Sequence, residues 1–133
     1  MPGVTNLSSL LKTMQPKLNK GDYVLCTIPF TQNIDPALLI GSFKEEEGLT
    51  VIIEKRSADS LGLNYTYVAA WITLTVHSSL EAVGLTAAFS NALAKEGISC
   101  NVIAAYYHDH IFVAKNDAER ALKVLHQLAE SSE

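Results

Sequence analysis

Hydrophobic and polar positions along the chain form blocks that predict alternating strands and helices. Between residues 70 and 113, one apolar strand leads into a helix, and two more apolar strands follow. Asn116 with Glu119 three residues later forms a capping box, which predicts the start of a last helix. The order β-α-β-β-α is most of a ferredoxin-like unit, a fold that many unrelated functions share.

The first half of the chain repeats this pattern in a weaker form. Residues 23–28 predict a strand, residues 38–43 and 49–54 a hairpin, and residues 57–61 a short helix. Ahead of them, one helical stripe is formed by Leu7, Leu10, Leu11 and Met14. We therefore predict an α+β protein of two tandem ferredoxin-like units, residues 1–64 and 65–133, with antiparallel sheets and helices on one face.

The long strand predicted over residues 65–76 is central to this arrangement. Alternate positions give it one aliphatic face and one face that mixes aromatic and hydroxyl side chains. The second unit has no strand after its last helix. The long strand would thus close one unit and open the other.

The helix predicted over residues 79–96 carries two apolar stripes. The first is Leu80, Val83, Gly84, Ala87 and Ala94, and the second is Leu85, Phe89, Ala92 and Leu93. A helix that is apolar on two sides is covered on both. We therefore expect a homodimer that forms through helix faces or sheet edges.

Composition narrows the class of function. The chain has 133 residues, 48% hydrophobic and 18% charged, with a net charge of −4. This balance is typical of a globular protein and unfavourable for nucleic acid, which needs clustered Lys and Arg. We expect no membrane span and no signal peptide, and hence a cytoplasmic location. Cys26 and Cys100 lie in apolar strand patterns that indicate small buried side chains.

The junction between the long strand and the following helix is the predicted site. Ser78 and Glu81 form a capping box, and a helix start presents backbone N–H groups that favour a carboxylate. Asn101 on the next strand can both donate and accept hydrogen bonds, and Asp109 is a candidate contact for an amine. No phosphate loop, nucleophile elbow or paired strand-end carboxylates point to catalysis.

This junction resembles that of ACT domains, small amino-acid-sensing modules of metabolic regulators. ACT domains carry an approximate His-x-Asn-x-Pro-Gly-Val loop between the first strand and first helix, and the helix ends in Gly-Ile. Here His77 matches the histidine, Ser79 takes the place of the asparagine, and Gly97-Ile98 ends the helix. The proline is absent and Gly84 lies later than the family glycine. More closely, residues 72–113 resemble the divergent ACT subfamily that is found as compact two-unit proteins of unassigned function.

The resemblance implies a non-catalytic regulatory module that binds a small ligand, an amino acid, where ACT units meet. We expect no cofactor and no metal. In the family, ligands contact the loop after the first strand and the start of the second strand. The expected ligand-binding residues are His77, Ser78, Ser79, Leu80, Val83, Gly84, Asn101, Val102, Ile103 and Asp109.

Two alternatives stay open. A small metal-binding protein or enzyme could use His77, His108 and His110. Adjacent residues on a strand point to opposite faces, so His108, Asp109 and His110 could not converge on one ion, and a hairpin turn is a simpler setting for them. The other alternative is a pure assembly module whose ligand pocket is vestigial.

Overall fold

A computed structural model describes residues 7–76 and 83–131 of the chain. Two 3-10 turns, Pro36–Leu38 and Lys115–Asp117, accompany the regular elements. In chain order, the α-helices and β-strands are α1 (Leu7–Thr13), β1 (Gln15–Leu18), β2 (Tyr23–Ile28), β3 (Gly41–Lys44), β4 (Leu49–Glu54), α2 (Lys55–Leu61), β5 (Val68–Thr75), α3 (Leu85–Lys95), β6 (Asn101–Ala104), β7 (Asp109–Ala114) and α4 (Ala118–Ser131).

The chain forms two compact units whose boundary falls inside strand β5. The inner unit comprises Lys20–Ala69, and the split unit comprises Met1–Asn19 together with Ala70–Glu133. This grouping differs from the division predicted at residues 64 and 65, because the N-terminal segment packs with the second half of the chain. Both units are antiparallel, ferredoxin-like α+β structures, as predicted.

The inner unit has the strand order β3-β4-β2, followed by the first residues of β5. Strand β2 pairs with β4 along its whole length, and Tyr23 and Val24 pair with Ala69 and Val68. Alternate residues of β2 and β4 point into one small core that also contains Ala58 of α2. Where a ferredoxin-like unit carries its first helix, this unit has only the 3-10 turn Pro36–Leu38.

The split unit has the order β1-β5-β7-β6. Strand β1 runs antiparallel to β5, with Gln15 opposite Thr75 and Leu18 opposite Ile72. Strand β1 thus occupies the sheet position beside β5 in the split unit. Pro16 is compatible with β1 because an edge strand tolerates a residue without an N–H.

All the helices of the split unit that the structure describes pack on one face of its sheet, as predicted. The core joins alternate residues of β5 and β7 to the buried sides of α1, α3 and α4. Its largest fully buried side chains include Phe89, Leu10 and Leu125. The predicted last helix is present as α4, and it buries one side, on which Ala118, Ala121 and Leu125 lie.

Helix α3 begins later than predicted, and among the described residues only one of its two apolar stripes is buried. It begins at Leu85, so Val83 and Gly84 precede the helix instead of belonging to it. Leu85, Phe89 and Leu93 are buried, whereas Val83 is 84% exposed. None of the helices in the described ranges is long and apolar enough to cross a membrane.

Candidate functional site

The predicted site lies at the passage from β5 to α3, in the split unit. The described residues flank this passage on both sides. Four of the predicted ligand-binding residues, His77, Ser78, Ser79 and Leu80, lie outside the described residues, as does the capping box that contains Ser78.

Gly84 forms the N-cap of α3, and its backbone requires glycine. Its φ of +95° lies in the left-handed region, and its carbonyl accepts a hydrogen bond from the Ala88 N–H at 2.9 Å. Glycine has no side chain to cap the helix. The N–H groups of the first turn, those of Leu85, Thr86 and Ala87, therefore have no acceptor within the helix. Backbone N–H groups at such a turn favour an anionic group.

The second predicted part of the site, Asn101, Val102 and Ile103, lies on β6, the last strand in the sheet order of the split unit. Asn101 stands opposite Phe112 of β7, and its Nδ2 donates to the Phe112 carbonyl at 3.3 Å. Val102 packs against the helix-side core. Because side chains alternate along a strand, Asn101 and Ile103 occupy the other face.

The two parts of the predicted site do not meet within the split unit. Gly84 and Asn101 lie beyond opposite ends of α3, whose 11 residues span about 16 Å. A free amino acid is much shorter than this distance. One small ligand could therefore not contact both residues in the same unit.

Asp109 lies at the end of the sheet from which β5 leaves for α3. Thr73 of β5 contacts His110 while Trp71 stacks on Phe112, so β5 and β7 are antiparallel and β5 ends beside the start of β7. Asp109 is paired with Ala104, three residues along β6 from Asn101, which corresponds to about 10 Å.

The Asp109 side chain belongs to the helix side of the sheet. It alternates with His110 and shares its face with Ile111 and Val113, both of which are in the helix-side core. Asp109 is half-buried, and burial raises the pKa of its carboxyl group above the ordinary value. A positively charged partner would compensate the cost of that buried charge.

The two histidines next to Asp109 are on the opposite face. The rings of His108 and His110 lie 6.3 Å apart between centroids. Nδ1 of His110 accepts the indole N–H of Trp71 at 3.0 Å. In residues 7–76 and 83–131 no group of three or more His, Cys, Asp or Glu side chains could hold a metal ion.

The cysteines occupy structural positions, as predicted. Cys26 is buried in the inner unit and Cys100 is half-buried in the split unit. Burial raises the pKa of both thiols, which keeps them protonated and poorly nucleophilic at neutral pH.

A charged cleft of about 580 Å³ in the inner unit had no counterpart among the predicted sites. It lies where β4 meets α2, and basic and acidic side chains that line it form ion pairs with each other. Lys55 is 2.9 Å from Asp59, and Arg56 is 2.9 Å from Glu54. These pairs are exposed to solvent, so the cleft presents no unbalanced charge that would select a ligand.

Two protein-family models match most of the chain. One ACT-domain model matches residues 2–70, and a second ACT-domain model matches residues 67–127. The chain belongs to the ACT-domain family. No curated protein matches the chain.

Solved structures include one strongly similar ACT relative. A Vibrio cholerae protein of unknown function, described as a possible transport protein, is 51% identical. The match covers 92% of this chain and 95% of that one, with a TM-score of 0.84.

More distant structures share the fold alone. An Agrobacterium tumefaciens protein is 16% identical over 87% of this chain and 89% of its own, with a TM-score of 0.66. The ligand-free regulatory subunit of aspartate kinase from Thermus thermophilus is 11% identical. That match covers 85% of this chain and 95% of the subunit, with a TM-score of 0.62.

In ACT terms, β5, α3 and β6 are the first strand, first helix and second strand of the split unit. The inner unit has a 3-10 turn where the first ACT helix would be. Among the described residues, the split unit is the one in which an α-helix, α3, follows the first ACT strand, β5. The candidate site is therefore assigned to the split unit.

Proposed function

We propose that this ACT protein is a non-catalytic, cytoplasmic regulatory module that binds a free amino acid at the start of α3. The regulatory character is that of the ACT family. The observation that carries the proposal is the position of Asp109. Its half-buried carboxyl shares one end and one face of the split-unit sheet with the uncapped start of α3.

These two groups match the two charges of an amino acid. The N–H groups at the start of an α-helix favour a carboxylate, through direct hydrogen bonds and through the helix dipole. A partly buried Asp109 favours the ammonium group, which would return the pKa of its carboxyl group toward the ordinary value. His77, Ser78, Ser79, Leu80 and Val83 remain predicted ligand contacts, the first four of them outside the described residues.

The proposal includes a homodimer in which β6 strands pair across a two-fold axis. Residues 97–108 contain no Asp, Glu, Lys or Arg, although exposed edge strands are normally protected by charge or proline. The opposite edge strand of the split unit, β1, has both Pro16 and Lys17. Ile103 is 40% exposed, and Tyr106 and Tyr107 at the hairpin tip are 78% and 77% exposed.

Such a dimer would resolve the separation of Asn101 from Gly84. Antiparallel pairing reverses one β6 relative to the other, so Asn101 of the second copy comes to the end where Asp109 lies. Val102 faces the same side as Asp109, whereas Asn101 faces the other side. Val102 would thus contact the ligand by its side chain, and Asn101 by backbone groups of the strand edge.

A thermal-shift screen of the twenty amino acids tests the proposal. A ligand at 100 times its dissociation constant stabilises the folded protein by about 2.7 kcal/mol. We expect one amino acid or a small chemical class to do so, and Asp109→Asn to abolish the effect. Glu119→Gln, which removes a carboxylate from the exposed side of α4, should leave it unchanged.

Two results would contradict the proposal. Stabilisation by no amino acid would favour the pure assembly module. Stabilisation by a divalent transition metal, reversed by a chelator, would favour the alternative that uses His77, His108 and His110.

A further inference from the structure

A chain of polar contacts crosses the face of the split-unit sheet that is opposite the helices. Asn19, directly after β1, donates from Nδ2 to Oγ1 of Thr73 at 2.9 Å. The Thr73 hydroxyl lies 3.2 Å from Nδ1 of His110 on β7, and the Trp71 indole N–H donates to the same Nδ1 at 3.0 Å. The contacts connect the segment after β1 with β5 and β7.

The chemistry of the partners determines the state of His110. An indole nitrogen only donates, so Nδ1 must accept and can carry no proton. The ring proton of a neutral His110 therefore resides on Nε2. The Thr73 hydroxyl already accepts from Asn19, and its own hydrogen can point to Nδ1 as a second donor.

Protonation of His110 reverses these roles. The imidazolium carries a hydrogen on both nitrogens, so its Nδ1–H would face the Trp71 N–H, two donors against each other. The Thr73 hydroxyl could turn to accept from Nδ1–H, but Trp71 would lose this acceptor. We propose that His110 is a proton switch on this face, and that its protonation breaks the hydrogen bond from the Trp71 indole to β7 and weakens the attachment of β1.

The charged groups around His110 disfavour its protonation. Strands β5 and β6 contain no ionisable side chain. His108 lies on the same face of the β7 hairpin and repels a second positive charge. Lys17 of β1, which is paired with Thr73, also carries a positive charge. Helix α4 packs on the other side of the sheet. Burial, and then His108, lower the pKa of His110 below 6.5, in agreement with the geometry.

Trp71 provides a direct readout, because it is the only tryptophan among the 133 residues. In the full-length protein, the indole N–H resonance and the fluorescence of Trp71 are followed from pH 8 to pH 5. We expect one transition with a midpoint below 6.5, the ordinary histidine value. His110→Gln keeps an acceptor but cannot titrate, and it should abolish the transition. His126→Gln, on α4, should leave the transition unchanged.

Two further variants test the mechanism without removing His110. Thr73→Val preserves the shape. Neutral Nδ1 keeps the Trp71 donor in this variant, whereas the protonated Nδ1–H loses its acceptor, so the midpoint should fall by about one pH unit. His108→Gln removes the like-charged neighbour, so the midpoint should rise.

The attachment of β1 has its own readout, the backbone hydrogen bond from Asn19 N–H to the Trp71 carbonyl at 2.9 Å. Hydrogen exchange of the Asn19 amide should lose protection below the midpoint in the wild type but not in His110→Gln. A Trp71 signal that titrates equally in His110→Gln, or a midpoint that neither Thr73→Val nor His108→Gln moves, would overturn the switch. Equal Asn19 protection above and below the midpoint would overturn its effect on β1.

Discussion

Gly84 faces Leu7: a β-carbon at Gly84 would lie 3.3 Å from Cδ2 of the Leu7 side chain. The start of α3 thus lies against the N-terminal helix α1, at a position where a β-carbon would make a tight contact. The contact connects the candidate ligand site to the segment that closes the split unit.

Gly84→Ala should therefore destabilise the protein, as measured by urea unfolding. A residue with a β-carbon pays about 1–2 kcal/mol to adopt a left-handed backbone. Gly97 is the matched control, since its φ of +70° is also left-handed but a β-carbon there meets nothing within 4 Å. We expect Gly84→Ala to cost more than Gly97→Ala. Equal losses would show that Leu7 adds no constraint.

Phe89 is the core residue of α3 whose removal should be most damaging. It is fully buried in the split-unit core, so Phe89→Ala should reduce the free energy of unfolding by about 3–5 kcal/mol. Phe43, on β3 of the inner unit, is 72% exposed, and Phe43→Ala should change the free energy of unfolding by less than about 0.5 kcal/mol. Equal effects in urea unfolding would contradict the assignment of the core.

The sequence predicted well those elements whose signal is local. The last helix and the apolar run of β7 have local signals, and both are present as predicted. Strand β1 was missed because it is four residues long, contains Pro16 and forms only by pairing with β5, more than fifty residues away.

The start of α3 was placed too early for a related reason. Ser78 and Glu81 form a capping-box pattern, but Val83 is not helical and the helix begins after Gly84. Nothing local to Gly84 distinguishes a left-handed N-cap from a glycine inside the helix. The site was only partly predictable as well, because the end of the sheet at which Asp109 lies depends on strand pairing, which sequence periods do not report.

Asp109 should reveal its role through the pH dependence of stability. Burial raises the pKa of its carboxyl group in the folded state above 3.8, so the folded protein binds this proton more tightly than the unfolded chain does. Its contribution to stability is therefore present below 3.8 and is lost as pH rises through the folded pKa. Asp109→Asn should make the protein more stable than the wild type at neutral pH, and the difference should disappear in acid.

The same variant separates a ligand contact from a purely structural residue. A ligand-binding Asp109 predicts that Asp109→Asn is more stable without ligand yet gains nothing from the amino acid that stabilises the wild type. Retained stabilisation by that amino acid would remove Asp109 from the site. A loss of stability at neutral pH would instead indicate that the carboxylate has a favourable partner in the fold.

The oligomeric state tests the role of the β6 edge. Sedimentation at tens of micromolar should show a dimer, because an uncharged edge strand with exposed apolar neighbours favours pairing. Ile103→Lys places a charge in that edge and should give a monomer, since two lysines would meet near the two-fold axis. Phe43→Lys makes a similar change on β3, the end strand of the inner unit, and should remain dimeric. A monomeric wild type, or an Ile103→Lys variant that still dimerises, would exclude pairing through β6, and Asn101 of a second copy could then not reach the Asp109 end of the sheet.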